Sequence, residues 1–337
     1  MKENLSHQSG MAAESDGSRL RNLAKTSLKI AFAVGLIWWM VHEGALDFTI
    51  FSRIGSAELY IFCALCVFGQ IFINNYRWLT LMRGLGLQSN VKETMPLTLI
   101  GLFFNFAMPG GVGGDVVKGF YLLQDHRDRK VAAVVSILMD RIMGFFVMVG
   151  TAFFALFLNW EKVVRVPQLT SIAVGVSLLF AAFLTFFAVS LSRRVGKSSI
   201  AEFLFTRFPA GEKFRKLYES LHTFRGSKGS LVLAALLSLG NQIFLVAFVY
   251  AVGNAMGITE IPLSMYFFLV PIGTVAQALP LSPAGIGVGQ AAFFFLFNLY
   301  LGKESQLGPT AVTLMQLMSF GWGLFGAYFY FRRKKPA

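Results

Sequence analysis

The sequence predicts an all-α polytopic membrane protein with about six full spans and two Gly/Pro-broken re-entrant hairpins in an inverted repeat. Three observations predict it. Of 337 residues, 55% are hydrophobic and 14% charged, with a mean hydropathy of +0.61, whereas soluble domains carry about 25% charged residues. Several apolar runs reach the roughly 20 residues that cross a bilayer. Two further apolar stretches are interrupted by related turns, Pro109-Gly110-Gly111-Val112-Gly113-Gly114-Asp115 and Pro283-Ala284-Gly285-Ile286-Gly287-Val288-Gly289-Gln290. Each runs Pro, small residue, Gly, β-branched aliphatic, Gly, and closes on a polar side chain. Backbone this rich in Gly and Pro is not ordinary spanning helix. At membrane depth, broken backbone persists only when buried in protein or lining a cavity.

The elements follow in order. Residues 1–18 are polar and predicted to be a disordered tail. A single transmembrane domain covers 19–331, with half one at about 19–191, a basic loop at 192–229 and half two at about 230–331. Residues 332–337 form a basic tail. Span one is about 28–42. Arg19, Arg21, Lys25 and Lys29 precede it as in a signal peptide, but no small-x-small cleavage site follows Trp38-Trp39, so it reads as uncleaved. Span two is about 59–82. Its Cys63 and Cys66 have no second pair or nearby His, and read as small packing residues. The first broken segment is about 94–123, followed by the charged loop Asp125-His126-Arg127-Asp128-Arg129-Lys130. Spans three and four are about 131–158 and 168–191. In the basic loop, Phe214, Leu217, Tyr218, Leu221 and Phe224 recur at helical spacing. They predict an amphipathic helix lying either on the membrane surface or on the protein's own cytoplasmic face. Span five is about 231–253, the second broken segment about 262–301, and the last span about 309–331.

A net charge of +13 suggests nucleic acid for a soluble protein. Here the basic residues lie between and beyond apolar runs, as the positive-inside rule expects. With both broken segments re-entrant, every strongly basic loop and both termini fall on the cytoplasmic side, and the hairpins enter from opposite faces. Sequence alone does not separate a hairpin that dips from one that spans. Paired broken segments in two halves point to a transport site.

A Gly-rich turn opening a helix presents unpaired N–H groups and the positive end of the helix dipole, which suits phosphate. This makes Pro109, Gly110, Gly111, Gly113 and Gly114, with Pro283, Gly285 and Gly287, candidate binding residues. Asp115 either caps the following helix or balances a cation, and shares a face with Lys118. Asp140 and Arg141 lie about ten residues into span three, roughly 15 Å by helical rise. Each charge costs about 2.5–3.5 kcal/mol at the bilayer centre. Adjacent residues point about 100° apart on a helix, so at least one is expected to face the broken segment, with Arg141 directed towards Asp115 or a phosphate. Arg77 either snorkels at the cytoplasmic end of span two or binds a headgroup. Asn105, Gln277, Ser282 and Gln290 either line a wet cavity or hold broken backbone. The four histidines are scattered and Gly-x-x-x-x-Gly-Lys is missing, so no metal site, nucleotide engine or other cofactor is expected.

These residues carry a family resemblance. Asn105-x-x-x-Pro109-Gly-Gly-x-Gly-Gly-Asp115, the Asp140-Arg141 pair and Ser282-Pro283-x-Gly285-x-Gly287-Val288 resemble the flippase-like membrane domain of the lysylphosphatidylglycerol synthase family. The resemblance covers nearly all the chain after the tail. It implies a stand-alone membrane part, without the aminoacyl-transferase domain, that moves a phospholipid or related polar lipid between leaflets of a bacterial inner membrane. It implies lipid partners with an anionic or aminoacylated headgroup, and admits a lipid-synthesis enzyme as a protein partner. Gln290 stands where the family often has Glu, and Lys118 where it often has Arg. Losing the acidic group bears on headgroup preference or a proton-linked step. Two rivals stay open: a membrane transferase with Asp115 or Asp140 as general base, and a non-transporting partner of a lipid-synthesis complex.

Overall fold

The computed structural model describes residues 56–106, 113–192, 222–279, 281–282 and 284–333. The expected first span, Pro109, Gly110, Gly111, Pro283 and most of the basic loop lie outside the described residues. Among the described residues are nine α-helices and no strand. They are α1 (Ala57–Gly84), α2 (Val91–Asn105), α3 (Gly113–Asp125), α4 (Lys130–Arg165), α5 (Pro167–Leu191), α6 (Lys228–Ala255), α7 (Leu263–Gln277), α8 (Val288–Leu301) and α9 (Leu307–Arg332). A 3-10 turn, Arg127–Arg129, joins α3 to α4.

Local chemistry sets these ends. Asn90 and Glu93 cap α2 reciprocally: each side chain accepts the other's backbone N–H, at 3.1 and 3.2 Å. Pro167 opens α5 at the position where a missing N–H does no harm. Gly302 ends α8 in the left-handed conformation, with φ of 66°.

Helices α1, α4, α5 and α6 are long and apolar enough to cross a bilayer. Helix α9 has 26 residues but is diluted by Thr310, Thr313, Gln316 and Ser319. The arms of the two broken segments are shorter, at 15 and 13 residues for α2 and α3, and 15 and 14 for α7 and α8. At about 1.5 Å per residue, each arm reaches roughly 20 Å into a hydrocarbon core of about 30 Å. Each arm alone is shorter than that core, as a re-entrant hairpin requires.

Their packing is two-fold. Helix α1 lies antiparallel to α6, with Gly84 against Phe224 and Ser230, Ile73 against Gly240, and Gly69 against Phe244. Small residues allow this close approach where lipid gives no hydrophobic drive. Helix α4, which follows the first hairpin, packs on α7 of the second. Helix α9, which follows the second hairpin, packs on α2 of the first. At that contact a Cβ on Gly326 would collide with the Leu99 carbonyl.

One face gathers the ends of α1, α3 and α9 and the start of α4. Arg129 donates to the Gly86 carbonyl at 2.7 Å, and Arg333 to Asp125 at 2.9 and 2.6 Å. The opposite face gathers the starts of α7 and α9 and the ends of α4, α6 and α8, with Ser264 bonded to Asn159 at 2.9 Å and Lys303 to Glu260 at 2.7 Å. The first hairpin thus enters from the Arg333 face and the second from the Glu260 face. Their inner ends meet where the Ala284 N–H donates to the Asn105 carbonyl at 3.1 Å.

Candidate functional site

The site lies where the two hairpins meet. Each first arm ends in a carboxamide, Asn105 on α2 and Gln277 on α7. The Asn105 side-chain oxygen accepts the Gly114 N–H at 2.8 Å and so ties the two arms of the first hairpin. A Cβ on Gly114 would collide with the Gly101 carbonyl and with Asn105 Oδ1. This close crossing is what requires glycine at 114.

The third residue of each second arm latches it to the next helix. In the first hairpin, Asp115 accepts from Arg141 Nε on α4. In the second, Gln290 Nε2 donates to Gln316 Oε1 on α9 at 2.8 Å and to Thr313 at 3.2 Å. The two latches have the same spacing, 26 residues. One is charged and the other neutral. Gln290 Oε1 also accepts the Gly287 N–H at 2.8 Å, and Gln316 Nε2 donates to the Ala284 carbonyl at 3.3 Å.

The adjacent charges on α4 divide as their helical angle requires. Arg141 goes to Asp115, while Asp140 accepts from Arg77 Nε at 2.7 Å. Arg77 also donates to Ser238 on α6 at 3.2 Å. Its side chain is 9% exposed and that of Asp140 13%, against 32% for Arg141 and 24% for Asp115. Arg77 therefore does not snorkel. Helix α1 runs on to Gly84 and the first hairpin covers that end, so the guanidinium turns inwards. Gly144 leaves room for it, since a Cβ there would lie 3.1 Å from Arg77 Nη1. Lys118 is buried on α3, with its ammonium 3.7 Å from the Trp78 ring centre. This cation–π contact replaces part of its lost hydration. Trp78 is itself fixed by a 3.2 Å bond to Ser136.

Beside these groups is a cavity of about 400 Å³, walled by α1, α2, α4, α6, α7, α9 and Ala284. This falls within the usual range of small-molecule sites, about 300–1,000 Å³. Of the residues expected from sequence, Arg77, Asn105, Arg141 and Gln277 line it. Asp115, Lys118, Asp140, Gly113, Gly114, Ser282, Gly285, Gly287 and Gln290 do not line it.

The second turn does not offer the expected row of free backbone donors. The N–H groups of Ala284, Gly285, Gly287 and Gly289 already bond to Asn105 O, Ser282 O, Gln290 Oε1 and Gly285 O. The turn folds back on itself with φ of 68° at Gly285 and 80° at Gly287, which directs its amides inwards. Gln70, Asn74, Asn241, Gln242 and Gln316 also line the cavity, and motif reasoning did not place them there. Their signal is an amide in the middle of an otherwise apolar helix, a costly placement in a membrane.

A family model described as the lysylphosphatidylglycerol synthase TM region matches residues 27–326. The chain belongs to this family. A relative named "UPF0104 membrane protein", from Methanothermobacter thermautotrophicus, is 22% identical over 262 residues, covering 72% of this chain and 76% of the relative. No solved structure matches the chain. Family membership and the apolar helices make it a multi-pass integral membrane protein. Within this member of the lysylphosphatidylglycerol synthase TM family, Asn105, Asp115 and Arg141 are three of the residues on which the resemblance was read. Here those three side chains join α2, α3 and α4.

Proposed function

We propose that this chain is a lipid translocase that passes a polar headgroup between leaflets through the cavity at the hairpin tips. The acyl chains stay in the surrounding bilayer. One observation carries this reading: two hairpins dip from opposite faces and meet beside a polar cavity that holds two guanidinium groups. Opposed half-helices around one midplane site suit alternating access.

The residues suggest how the step runs. Arg141 faces the cavity and holds Asp115 on the hairpin arm. A headgroup phosphate entering the cavity competes with Asp115 for that guanidinium, because both offer bidentate anionic oxygens. Winning the contest frees α3 from α4 and opens the first hairpin. At the second hairpin, the Gln290–Gln316 latch holds until the headgroup has moved across. A latch of neutral amides opens without exposing a charge. Arg77 stays paired with Asp140 and supplies a fixed positive wall.

Arg83, Lys92, Arg129, Lys130, Lys228, Arg332 and Arg333 share the face from which the first hairpin enters, and positive-inside reasoning makes that face cytoplasmic. In a bacterial inner membrane this puts the carboxyl terminus inside. The pairing of both part-buried carboxylates with arginine favours translocation over a transferase that uses either as a free base.

Two-sided access tests the reading. In a Cys63→Ala/Cys66→Ala background, Asn241→Cys places one thiol on the cavity wall. Impermeant thiol reagent added from either side of sealed vesicles is expected to label it. Labelling from one side only, in protein shown to insert in a single orientation, would refute alternating access.

A further inference from the structure

The wall of the cavity carries a recognition pattern that the translocase reading does not use. Five of its side chains have a buried polar atom with no hydrogen-bond partner in the protein: Gln70 Nε2, Asn74 Oδ1, Asn241 Oδ1, Gln242 Oε1 and Gln277 Oε1. Buried polar atoms are almost always satisfied, so such a cluster marks a place where something else bonds. They converge from separate helices: Gln70 and Asn74 from α1, Asn241 and Gln242 from α6, and Gln277 from the end of α7. The antiparallel pairing of α1 with α6 brings the first four together. Gln242 is only 2% exposed, so bulk solvent does not satisfy it.

All five atoms belong to carboxamides, each of which offers an acceptor oxygen and a donor NH₂. A ligand that satisfies them must bring groups that both donate and accept. An ammonium has donors only and leaves the amide NH₂ groups without an acceptor, and the cations Arg77 and Arg141 line the same space. The carboxylates Asp115 and Asp140 are not among the residues that line the cavity. The turn segments outside the described residues add no acid, because residues 107–112, 280 and 283 contain none. Hydroxyls remain. A hydroxyl donates to a carboxamide oxygen and accepts from the amide NH₂, so neighbouring carboxamides suit a polyol on both counts.

Taken with the reading above, on which it rests for its lipid, the geometry points to a headgroup that is a polyol or sugar joined through phosphate. The phosphate sits at Arg141 and Arg77, and the hydroxyls at the carboxamides of α1, α6 and α7. Cationic aminoacylated headgroups are disfavoured, in contrast to what the family name suggests.

The test is binding, measured apart from movement. Purified protein in neutral detergent micelles is titrated with phosphatidylinositol, phosphatidylethanolamine or lysyl-phosphatidylglycerol, and thermal stabilisation is read at each concentration. Phosphatidylinositol is expected to half-saturate at a concentration at least tenfold lower than the other two. A neutral hydrogen bond contributes about 1 kcal/mol, or roughly fivefold. Asn241→Leu/Gln242→Leu should therefore weaken phosphatidylinositol by about 25-fold and phosphatidylethanolamine by less.

Soluble arms identify the source. Inositol 1-phosphate should compete better than inorganic phosphate, and the intact lipid better than either. Equal competition by inorganic phosphate, equal binding of all three lipids, or tightest binding of lysyl-phosphatidylglycerol would each overturn the assignment. The wild-type comparison decides even if the double variant fails to fold. Selective binding without movement of labelled lipid would sink the translocase reading alone. Movement of every headgroup alike, with no selective binding, would sink this inference alone.

Discussion

Replacing Asp140 with Ala should be among the most damaging single changes to stability. Arg77 and Asp140 are bonded at 2.7 Å, with side chains 9% and 13% exposed. Solvent screens this pair little. Removing Asp140 leaves a buried guanidinium whose remaining bond given by the structure is to Ser238. Breaking one side of a buried pair costs about 3–5 kcal/mol. At about 2 °C per kcal/mol for a chain of this size, the apparent Tm in detergent should fall by roughly 6–10 °C at a fixed scan rate. Removing both charges is a different perturbation. Arg77→Leu/Asp140→Leu leaves no unpaired charge, and replacing a buried pair with apolar groups is often neutral. That variant should return to within about 1 kcal/mol of the parent, or roughly 2 °C. The assay is thermal unfolding of the parent, both single variants and the double. If the double variant loses as much as Asp140→Ala, or more, the unpaired-charge argument is wrong.

Other perturbations separate support from mechanism. Asp115→Asn should cost only about 1 kcal/mol of stability, since that pair is a quarter to a third exposed, yet it should alter lipid movement; a normal rate in reconstituted vesicles counts against the latch. Gly114→Ala should lower the apparent Tm by several degrees, because the new methyl group meets the Gly101 carbonyl and Asn105; an unchanged Tm would show that α2 and α3 separate easily. Gln290→Leu strips partners from Gly287, Thr313 and Gln316, and at about 1–3 kcal/mol for a stranded buried group it should destabilise measurably in the same unfolding assay.

The hairpins were legible in the sequence because Gly and Pro interrupt apolar runs, and the backbone rules that forbid a plain helix there are local. Asp140 and Arg141 were legible because charge inside a span needs a partner, and helical angle already separated them. Arg77 was misread. Its distance from the end of α1 suggested snorkelling, and its partner stands 63 residues away. The second turn was read as an anion cradle because glycine count does not reveal where amides point; Gln290 and Asn105 take up that freedom. Most of the carboxamide wall was not legible. Gln70 and Asn241 each stand out only as an amide inside an apolar helix, and the antiparallel register of α1 and α6 is what makes them neighbours. Phe224, placed from sequence on an amphipathic face, is fully buried against α1, while the rest of that proposed helix before residue 222 lies outside the described residues.

The central claim is that the cavity with Arg141 on its wall carries a lipid headgroup across the membrane. Its most direct test is a liposome assay with inner-leaflet lipid labelled on an acyl chain, in which the label reachable by an outside quencher is followed over time. Wild-type protein should accelerate exposure of a phosphate-bearing lipid over empty liposomes. Arg141→Ala should abolish that acceleration while inserting normally. Unchanged exposure by well-folded Arg141→Ala protein, or no acceleration by the wild type with any lipid under an imposed ion gradient, would contradict the account.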